Sequence, residues 1–268
     1  MKLVEMSWPQ VEAASASTVA VLPIAAIEQH GPHLAVSTDT ALVTEVAERV
    51  EQSLTERIVL CPTLVFGSSH HHLAFPGTMS ISHETYTRVL VDLVESLIRG
   101  GFTRIVLLNG HGGNVTPGRQ ALTILSDRYD DNAAPNIVLA TYWEMGGSAF
   151  AGDPPMETSA LSHACEYETS MMLSLYPERV HLERARRSQR PPCNGYIGWE
   201  VDEPYRGVCM SKSTQFVSST GASGRPDLAA AEKGEHLLEK ATAAVVEFLR
   251  QFHTWPLMED LRPSSDSN

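Results

Sequence analysis

The chain has 268 residues, of which 43% are hydrophobic and 19% are charged, and its formal net charge is −12. This is the composition of a globular protein and excludes a disordered or fibrous chain. The acidic balance disfavours nucleic-acid binding, because phosphate backbones are repelled, and no apolar run reaches the roughly 20 residues that span a bilayer.

The cysteines and the first residues indicate the compartment. Cys61, Cys165, Cys193 and Cys209 lie far apart and include no CxxC pair, so neither disulfides nor thiolate zinc ligation is expected. The N-terminal segment MKLVEMSWPQVEAA lacks the basic start and apolar core of a secretion signal. We therefore expect a cytoplasmic protein with neither nucleic-acid nor membrane partners.

Strand-like and helix-like segments alternate along the chain, which predicts an α/β layer fold with buried parallel strands. The predicted strands are 19–27, 58–65, 105–108 and 137–142. The predicted helices are 39–53, 82–99, 117–129, 163–175 and 226–252. Ser82 is expected to cap the second of these helices, and Gly100 to end it. We predict one domain over 1–261, a frayed tail over 262–268, and loops and short strands around a site over 185–223.

The first group of candidate ligands follows the first predicted strand. Glu28 and His30 are two residues apart, so their side chains point the same way if the chain stays extended there. Asp39 begins the next predicted helix, where it could either cap that helix or bridge two metal ions. A carboxylate and an imidazole on one side of the chain suit zinc, manganese or a similar cation.

A glycine-rich loop after the third predicted strand carries the second group. Its sequence, NGHGGN at 109–114, fits neither of the common nucleotide-binding glycine patterns, which disfavours a phosphate site. His111 stands at the tip of this loop, and the carboxyl ends of parallel strands meet at one crevice. His111 is therefore a candidate ligand beside Glu28 and His30.

The third group lies in segment 163–170 (HACEYETS), where a helix is predicted to begin. His163 and Glu166 are three residues apart and share a helical face, whereas Glu168 lies off that face. The carboxylates could instead only stabilise the helix dipole. Trp143 follows the fourth predicted strand, and could either stack on a planar substrate ring or pack in the core.

These groups supply carboxylates and imidazoles, without thiolates, from separate parts of the chain. Such a donor set suits a hydrolytic centre of two divalent metal ions. Two ions can share a bridging carboxylate and a bridging hydroxide, and the hydroxide then attacks a carbonyl that the ions polarise. The residues therefore favour a binuclear metallohydrolase.

At these residues the sequence resembles the creatininase, or creatinine amidohydrolase, family. The matching segments are 28–34, 38–39, 75–78, 109–114 and 163–170, with weaker matches at 7–9 and 231–234. The resemblance extends from about residue 7 to about residue 250. It implies a three-layer α/β/α sandwich with a mainly parallel sheet, and a homo-oligomer, namely a hexamer.

The resemblance also implies a role for each candidate residue in a centre of two ions per chain, zinc or manganese, with iron as a further option. The implied ligands of one ion are Glu28, Asp39 and His111. Those of the other are His30, Asp39 and Glu166, so that Asp39 bridges the two. His163 matches the histidine that serves as proton shuttle, and we place His163 and Glu166 together as the catalytic residues.

Further residues are placed at the pocket by the same resemblance. His72 matches a family histidine before the Phe75-Pro76 pair, and Thr78 and Asn114 would contact the substrate or support the ligands. With the aromatic Trp143, the expected substrate contacts are His72, Thr78, Asn114 and Trp143. His70 and His71 are expected to be solvated loop residues.

Two departures from the family pattern bear on the substrate. Gly112-Gly113 stands where creatininase itself has an aromatic residue and a glutamate, which disfavours creatinine as the substrate and makes Glu166 the expected replacement ligand. Arg225 stands where the family tends to have an acidic residue. It could read an anionic substrate, contact a neighbouring subunit or form a surface salt bridge.

The function that we expect is hydrolysis of a C–N bond in a small cyclic amide or formamide. Two alternatives stay open: a family hydrolase acting on a sugar-like cyclic ketone or lactone, and a catalytically silent binding subunit. All five predicted ligands are present, which disfavours the silent subunit.

Overall fold

A computed structural model describes residues 1–130, 133–145, 156–158, 161–188 and 211–261. Four parallel strands form one sheet in the order β2-β1-β3-β4. The strands are β1 (Val19–Ile24), β2 (Ile58–Leu60), β3 (Arg104–Asn109) and β4 (Asn136–Thr141). The helices are α1 (Trp8–Ser15), α2 (Thr38–Ser53), α3 (His83–Arg99), α4 (Val115–Arg128), α5 (Tyr142–Met145), α6 (Glu166–Leu175) and α7 (Ala231–Phe252).

The two faces of the sheet bury two separate hydrophobic cores. Successive side chains of a strand point to opposite faces, and in β1 this directs Val19 and Val21 toward α2, α6 and α7. Ala20 and Leu22 point the other way, toward α3 and α4. Helices therefore cover both faces, and the predicted three-layer α/β/α sandwich is confirmed.

The predicted helix ends at α3 are confirmed by its caps. The hydroxyl of Ser82 accepts a hydrogen bond from the backbone N–H of Thr85 at 3.3 Å, which satisfies one of the free donors of the first turn. After the C-cap Gly100, Gly101 takes a φ of +94°. Glycine is favoured there because other residues rarely adopt that conformation.

Other element ends differ from the prediction. The first two strands are shorter than expected, because after Ile24 and Leu60 the chain leaves the sheet and keeps only isolated bridges such as Ile24 to Leu64. The last helix begins at Ala231, and Pro226–Leu228 forms a separate 3₁₀ turn. Helix α1 was not predicted, although Ser7 and Gln10 form its capping box.

The region 185–223 was expected to hold loops and short strands around a site. Its described parts, 185–188 and 211–223, contain a 3₁₀ turn at Thr214–Phe216 and no strand. The rest of this region lies outside the described residues, as do Cys193, Cys209 and the tail 262–268. The longest described helix, α7, has no apolar stretch that could span a bilayer, and neither has any shorter one.

Candidate metal centre

The site lies beyond the carboxyl ends of the central strands. Glu28 and His30 follow β1, His111 follows β3, and Asp39 lies in the first turn of α2. All four side chains are buried, with at most 4% of any residue exposed. Because β1 and β3 are neighbours in a parallel sheet, the loops that leave them converge on this point. The structure thus brings these four predicted residues together.

Asp39 is placed between the two histidines. Its Oδ1 lies 3.0 Å from Nε2 of His30, and its Oδ2 lies 2.9 Å from Nδ1 of His111. Glu28 closes the group on one side, with Oε2 3.4 Å from Nε2 of His111. One carboxylate thus presents a different oxygen to each of two imidazoles, which is the arrangement that a carboxylate bridging two cations requires.

The remaining ring nitrogens have backbone partners. Nδ1 of His30 lies 3.2 Å from the carbonyl oxygen of Glu28, and Nε2 of His111 lies 3.1 Å from that of Ser68. If each of these nitrogens donates its proton to the carbonyl, the other nitrogen turns a lone pair toward Asp39. Such a carbonyl contact is the usual support of a metal-binding histidine, because it fixes the tautomer and the ring orientation.

Several of these polar atoms have no hydrogen-bond partner of good geometry among the described residues. They are Glu28 Oε2, His30 Nε2 and Asp39 Oδ2. Leaving a buried polar atom unsatisfied costs roughly 1–3 kcal/mol. Lone pairs that converge without donors between them are satisfied by a cation, so the buried group fits divalent metal ions.

The charges of the group are strongly coupled. Burial raises the pKa of Glu28, and the charge of His111 offsets this only in part. For Asp39, burial raises the pKa, but the nearby His30 and His111 outweigh it and hold the pKa well below its usual range. Burial lowers the pKa of His111, while the nearby charges of Glu28 and Asp39 raise it to about 9. Without metal, the site therefore retains protons that a cation would displace.

Glu168, and not the predicted Glu166, lies beside His30 in the structure. Oε1 of Glu168 lies 3.8 Å from Nε2 of His30, and ligand atoms of His30, His163 and Glu168 all lie within 4.8 Å of one another. The second oxygen, Oε2, accepts the backbone N–H of Cys165 at 3.4 Å. Glu168 is thus held by the helix N-terminus while facing His30.

Glu166 points into a different environment. Its fully buried carboxylate lies 2.6 Å from Nζ of Lys233 and accepts hydrogen bonds from the hydroxyl and the N–H of Thr158 at 2.8 and 2.9 Å. The prediction assumed that His163 and Glu166 share a helical face. Helix α6 begins only at Glu166, because Ala164 has a φ of +50°, so the assumed face does not exist.

His163 lies in the turn before α6, beside the candidate ligands. Its Nε2 lies 2.8 Å from the carbonyl oxygen of Gln29, and its Nδ1 lies 3.4 Å from Oε1 of Glu28. Its ring contacts those of His30 and His72, with centroid distances of 4.4 and 4.2 Å. Burial lowers the pKa of His163 well below its usual range. The geometry thus presents a neutral imidazole whose Nδ1 can accept a proton.

A cavity of about 320 Å³ opens onto these residues. Glu28, Asp39, His111, His163 and Glu168 line it. Of the expected substrate contacts, His72 and Trp143 line it. His71, which was expected to be solvated, is half-buried and also lines it. Among the described lining residues, one is a lysine, Lys212, and none is an arginine.

The family model described as Creatininase (creatinine amidohydrolase) matches residues 4–249. The chain belongs to the creatininase family. A relative named creatinine amidohydrolase, from Pseudomonas putida, is 30% identical over 92% of this chain and 95% of its own. A relative named mycofactocin precursor peptide peptidase, from Mycobacterium tuberculosis (strain CDC 1551 / Oshkosh), is 32% identical over 90% of this chain and 87% of its own. The chain is accordingly an amidohydrolase of this family.

Solved creatininase structures share the fold, and two of them are described as a zinc form and a manganese form. A mutant creatininase of Zn–Zn type superposes with a TM-score of 0.78 at 27% identity, covering 95% of this chain and 98% of that one. A creatininase described as the Mn form gives 0.77 at 28% identity, covering 95% and 99%. The buried carboxylate and imidazole group of this creatininase-family chain therefore occurs in a fold that is known with zinc and with manganese.

The other two expected substrate contacts, Thr78 and Asn114, do not line the cavity. Asn114 is fully buried, donating to the carbonyl of Ala25 at 3.0 Å and accepting from the N–H of Ser68 at 3.0 Å. The hydroxyl of Thr78 accepts from the N–H of Gln29 at 3.1 Å. Both side chains tie together the loops that carry the ligands, which is the supporting role that the prediction gave as an alternative.

Three residues that line the cavity were not among the site residues predicted from the sequence, namely Glu168, His71 and Lys212. For Glu168 a signal exists, because Cys165 and Glu168 have the three-residue spacing of an N-cap and its N3 partner. Placing the helix start at Cys165 would have directed attention to Glu168. His71 and Lys212 carry no comparable local signal.

Proposed function

We propose that this creatininase-family chain hydrolyses a C–N bond in a small cyclic amide or formamide by means of two divalent metal ions. The observation that carries the proposal is the placement of Asp39, whose two oxygens face His30 and His111 at 3.0 and 2.9 Å. A single buried carboxylate between two imidazoles serves two ions better than one. A mononuclear site would leave one of these imidazoles without a role.

We assign the ligands from the contacts of each side chain. One ion would be held by Glu28, Asp39 and His111, and the other by His30, Asp39 and Glu168. Imidazole and carboxylate ligands suit zinc and manganese, and the Zn–Zn and Mn forms of related creatininases support the same choice. Relative to the sequence prediction, only the exchange of Glu166 for Glu168 is new.

When bound, such a pair of ions supplies a hydroxide nucleophile near neutral pH and polarises the scissile carbonyl. In this proposal His163 carries the proton. Its Nε2 is engaged by the carbonyl of Gln29, so Nδ1 faces the cavity beside Glu28 and can take a proton from the nucleophile and give it to the leaving nitrogen. His72, with Nε2 3.5 Å from Glu28, and Trp143 form the walls that would hold the substrate.

The type of bond is supported by the relatives. One is named for hydrolysis of a cyclic amide, creatinine, and another for cleavage of a peptide. Both reactions break an amide C–N bond. The loop after His111 offers only Gly112 and Gly113 where an aromatic residue and a glutamate would be expected for creatinine, so we propose a different amide as the substrate.

The first experiment is elemental analysis of the protein expressed without a histidine tag. About two divalent ions per chain would support the binuclear centre. The protein would then be screened with cyclic amides, formamides and short peptides for release of ammonia, amine or formate, before and after chelation. A chain that holds no metal, and takes up none from added zinc or manganese, would refute the proposal.

We further propose that the chain forms a homo-oligomer. Val4, Trp8 and Phe216 are exposed to 70%, 76% and 66%, and large exposed apolar side chains are frequent at subunit interfaces. Light scattering coupled to gel filtration would give the subunit number. A mass of six chains would agree with the hexamer predicted from the resemblance, and a monomer would contradict it.

A further inference from the structure

Lys212 is one of the residues that line the cavity of the proposed metal centre. Glu28, Asp39 and Glu168 line the same cavity, and Lys212 is exposed to solvent. Within the described part of the chain it makes neither a salt bridge nor a side-chain hydrogen bond. Its ammonium group is therefore available to a ligand.

Other basic side chains in the neighbourhood are already engaged. Lys233 is bound to Glu166 at 2.6 Å, and Arg225 is bound to Asp227 at 2.7 Å. Neither of them lines the cavity. The pairing of Arg225 is the surface salt bridge that the sequence left as one of three options. Charge-based recognition inside the described cavity thus depends on Lys212.

The charge balance of the metal-loaded centre indicates the sign and the magnitude of the charge that a ligand of Lys212 would carry. The three carboxylates and one hydroxide nucleophile together neutralise two divalent ions. An imidazole that binds a metal ion through a lone pair is neutral and adds no charge to this balance. Lys212 then remains as one uncompensated positive charge at the edge of this cavity, where the residue is exposed.

We propose that the substrate is an amide that carries one carboxylate, and that Lys212 binds this carboxylate while the metal centre holds the scissile carbonyl. The proposal rests on the proposed function and names its substrate class. A single negative charge neutralises Lys212, whereas a doubly charged phosphate would overcompensate it. N-formyl amino acids, lactam acids and short peptides with a free C-terminus belong to this class, and a neutral ring such as creatinine does not.

Hydroxamates test this without knowledge of the substrate, because they bind to metal ions at the position of the carbonyl. The probes are acetohydroxamate, the monohydroxamate of succinic acid, and an analogue in which a phosphonate replaces the carboxylate. Their affinities for the full-length protein loaded with zinc would be measured by isothermal titration calorimetry at pH 8. The variants are Lys212→Gln, Lys212→Arg and Lys240→Gln, the last of which removes the same charge from α7, away from the cavity.

We expect the succinate probe to bind the wild type about tenfold more tightly than acetohydroxamate, as one charge-assisted hydrogen bond allows. Lys212→Gln should abolish this preference and leave the affinity for acetohydroxamate unchanged. Lys212→Arg should keep most of the preference, and Lys240→Gln all of it.

Different contrary results would refute the role of Lys212 and the proposed metal-dependent function. If acetohydroxamate binds but the carboxylate gives no advantage, or if Lys212→Gln retains the advantage, the role of Lys212 is refuted and the metal centre stands. Tighter binding of the phosphonate would overturn the assignment of a carboxylate. If no hydroxamate binds to the loaded wild type, the proposed function fails, and the inference about Lys212 fails with it.

Discussion

The ion pair between Lys233 and Glu166 is expected to stabilise the fold without touching the proposed metal ligands. Nζ of Lys233 lies 2.6 Å from Oε1 of Glu166 and donates to the carbonyl of Leu228 at 2.9 Å. Lys233→Met would keep most of the aliphatic chain and remove the ammonium group. The carboxylate of Glu166, which is fully buried, would then keep only its hydrogen bonds from Thr158 and Glu157.

The size of the loss follows from these contacts. Removing one partner of a buried ion pair costs about 3–5 kcal/mol. The side chain of Lys233 is 19% exposed, and three hydrogen bonds remain at Glu166. Both facts reduce the penalty, so we expect Lys233→Met to lower the free energy of unfolding by about 2–3 kcal/mol at pH 7.

The loss should depend on pH in a known direction. Burial raises the pKa of Glu166, but the hydrogen bonds from Lys233 and Thr158 outweigh it, so the pKa lies below its ordinary value. A carboxylate with a lowered pKa stabilises the fold above the pKa of the unfolded chain, about 4.3, and loses that effect as the pH falls through the folded value. The difference between wild type and Lys233→Met should therefore be largest near neutral pH and shrink below about pH 4.

Urea unfolding in excess chelator measures this effect apart from metal binding. The set is Lys233→Met, Glu166→Gln, the double variant, and Lys240→Met as a matched control, which should stay within about 0.5 kcal/mol of the wild type. The double variant should be more stable than the sum of the single losses predicts, by at least about 1 kcal/mol. Additive losses, or a Lys233→Met variant as stable as the control, would refute the reasoning.

Four further predictions concern the metal centre. Asp39→Asn should lose both ions in elemental analysis, and full metal content in this variant would contradict its bridging role. Glu168→Gln should lose one ion and Glu166→Gln none; the reverse result would restore the assignment made from the sequence. His163→Ala should keep both ions and lose about 10²–10⁴-fold in turnover of any amide found in the screen, so an active variant would exclude it as the proton carrier. Metal affinity, measured by competition with a chelator, should rise with pH up to about 9, because His111 must lose its proton to bind; an affinity independent of pH would argue against His111 as a ligand.

Much of the fold and of the site could be predicted from the sequence because the signals are local. The apolar runs of β1 and β3 mark buried parallel strands, and polar residues that directly follow such strands meet at one edge of the sheet. That rule alone brings Glu28, His30 and His111 together. It requires no knowledge of side-chain packing.

The position of the proposed fifth ligand, Glu168, could not be predicted by the same means. A shift of the start of α6 by three residues changes which of its carboxylates faces the sheet, and nothing in the pattern of apolar residues fixes that start. It is set by Ala164, whose φ of +50° is uncommon for a residue other than glycine. Asn114 shows the same limit, since its burial between Ala25 and Ser68 depends on contacts distant in sequence.

Helix α7, which contributes no candidate ligand among its described residues, supports the helix that carries Glu168. Gly234 lies so close to α6 that a Cβ there would overlap the backbone carbonyl of Ser170, and the adjacent Lys233 binds Glu166 at the first turn of α6. These contacts involve Glu166 and Ser170, which lie on successive turns of α6, so they restrict both sliding and rotation of this helix. Glu168 lies between these two contact points, and its own carboxylate is held by the N–H of Cys165. The segment AEKG at 231–234, a weak part of the resemblance, therefore packs against the helix that carries one carboxylate of the proposed metal centre.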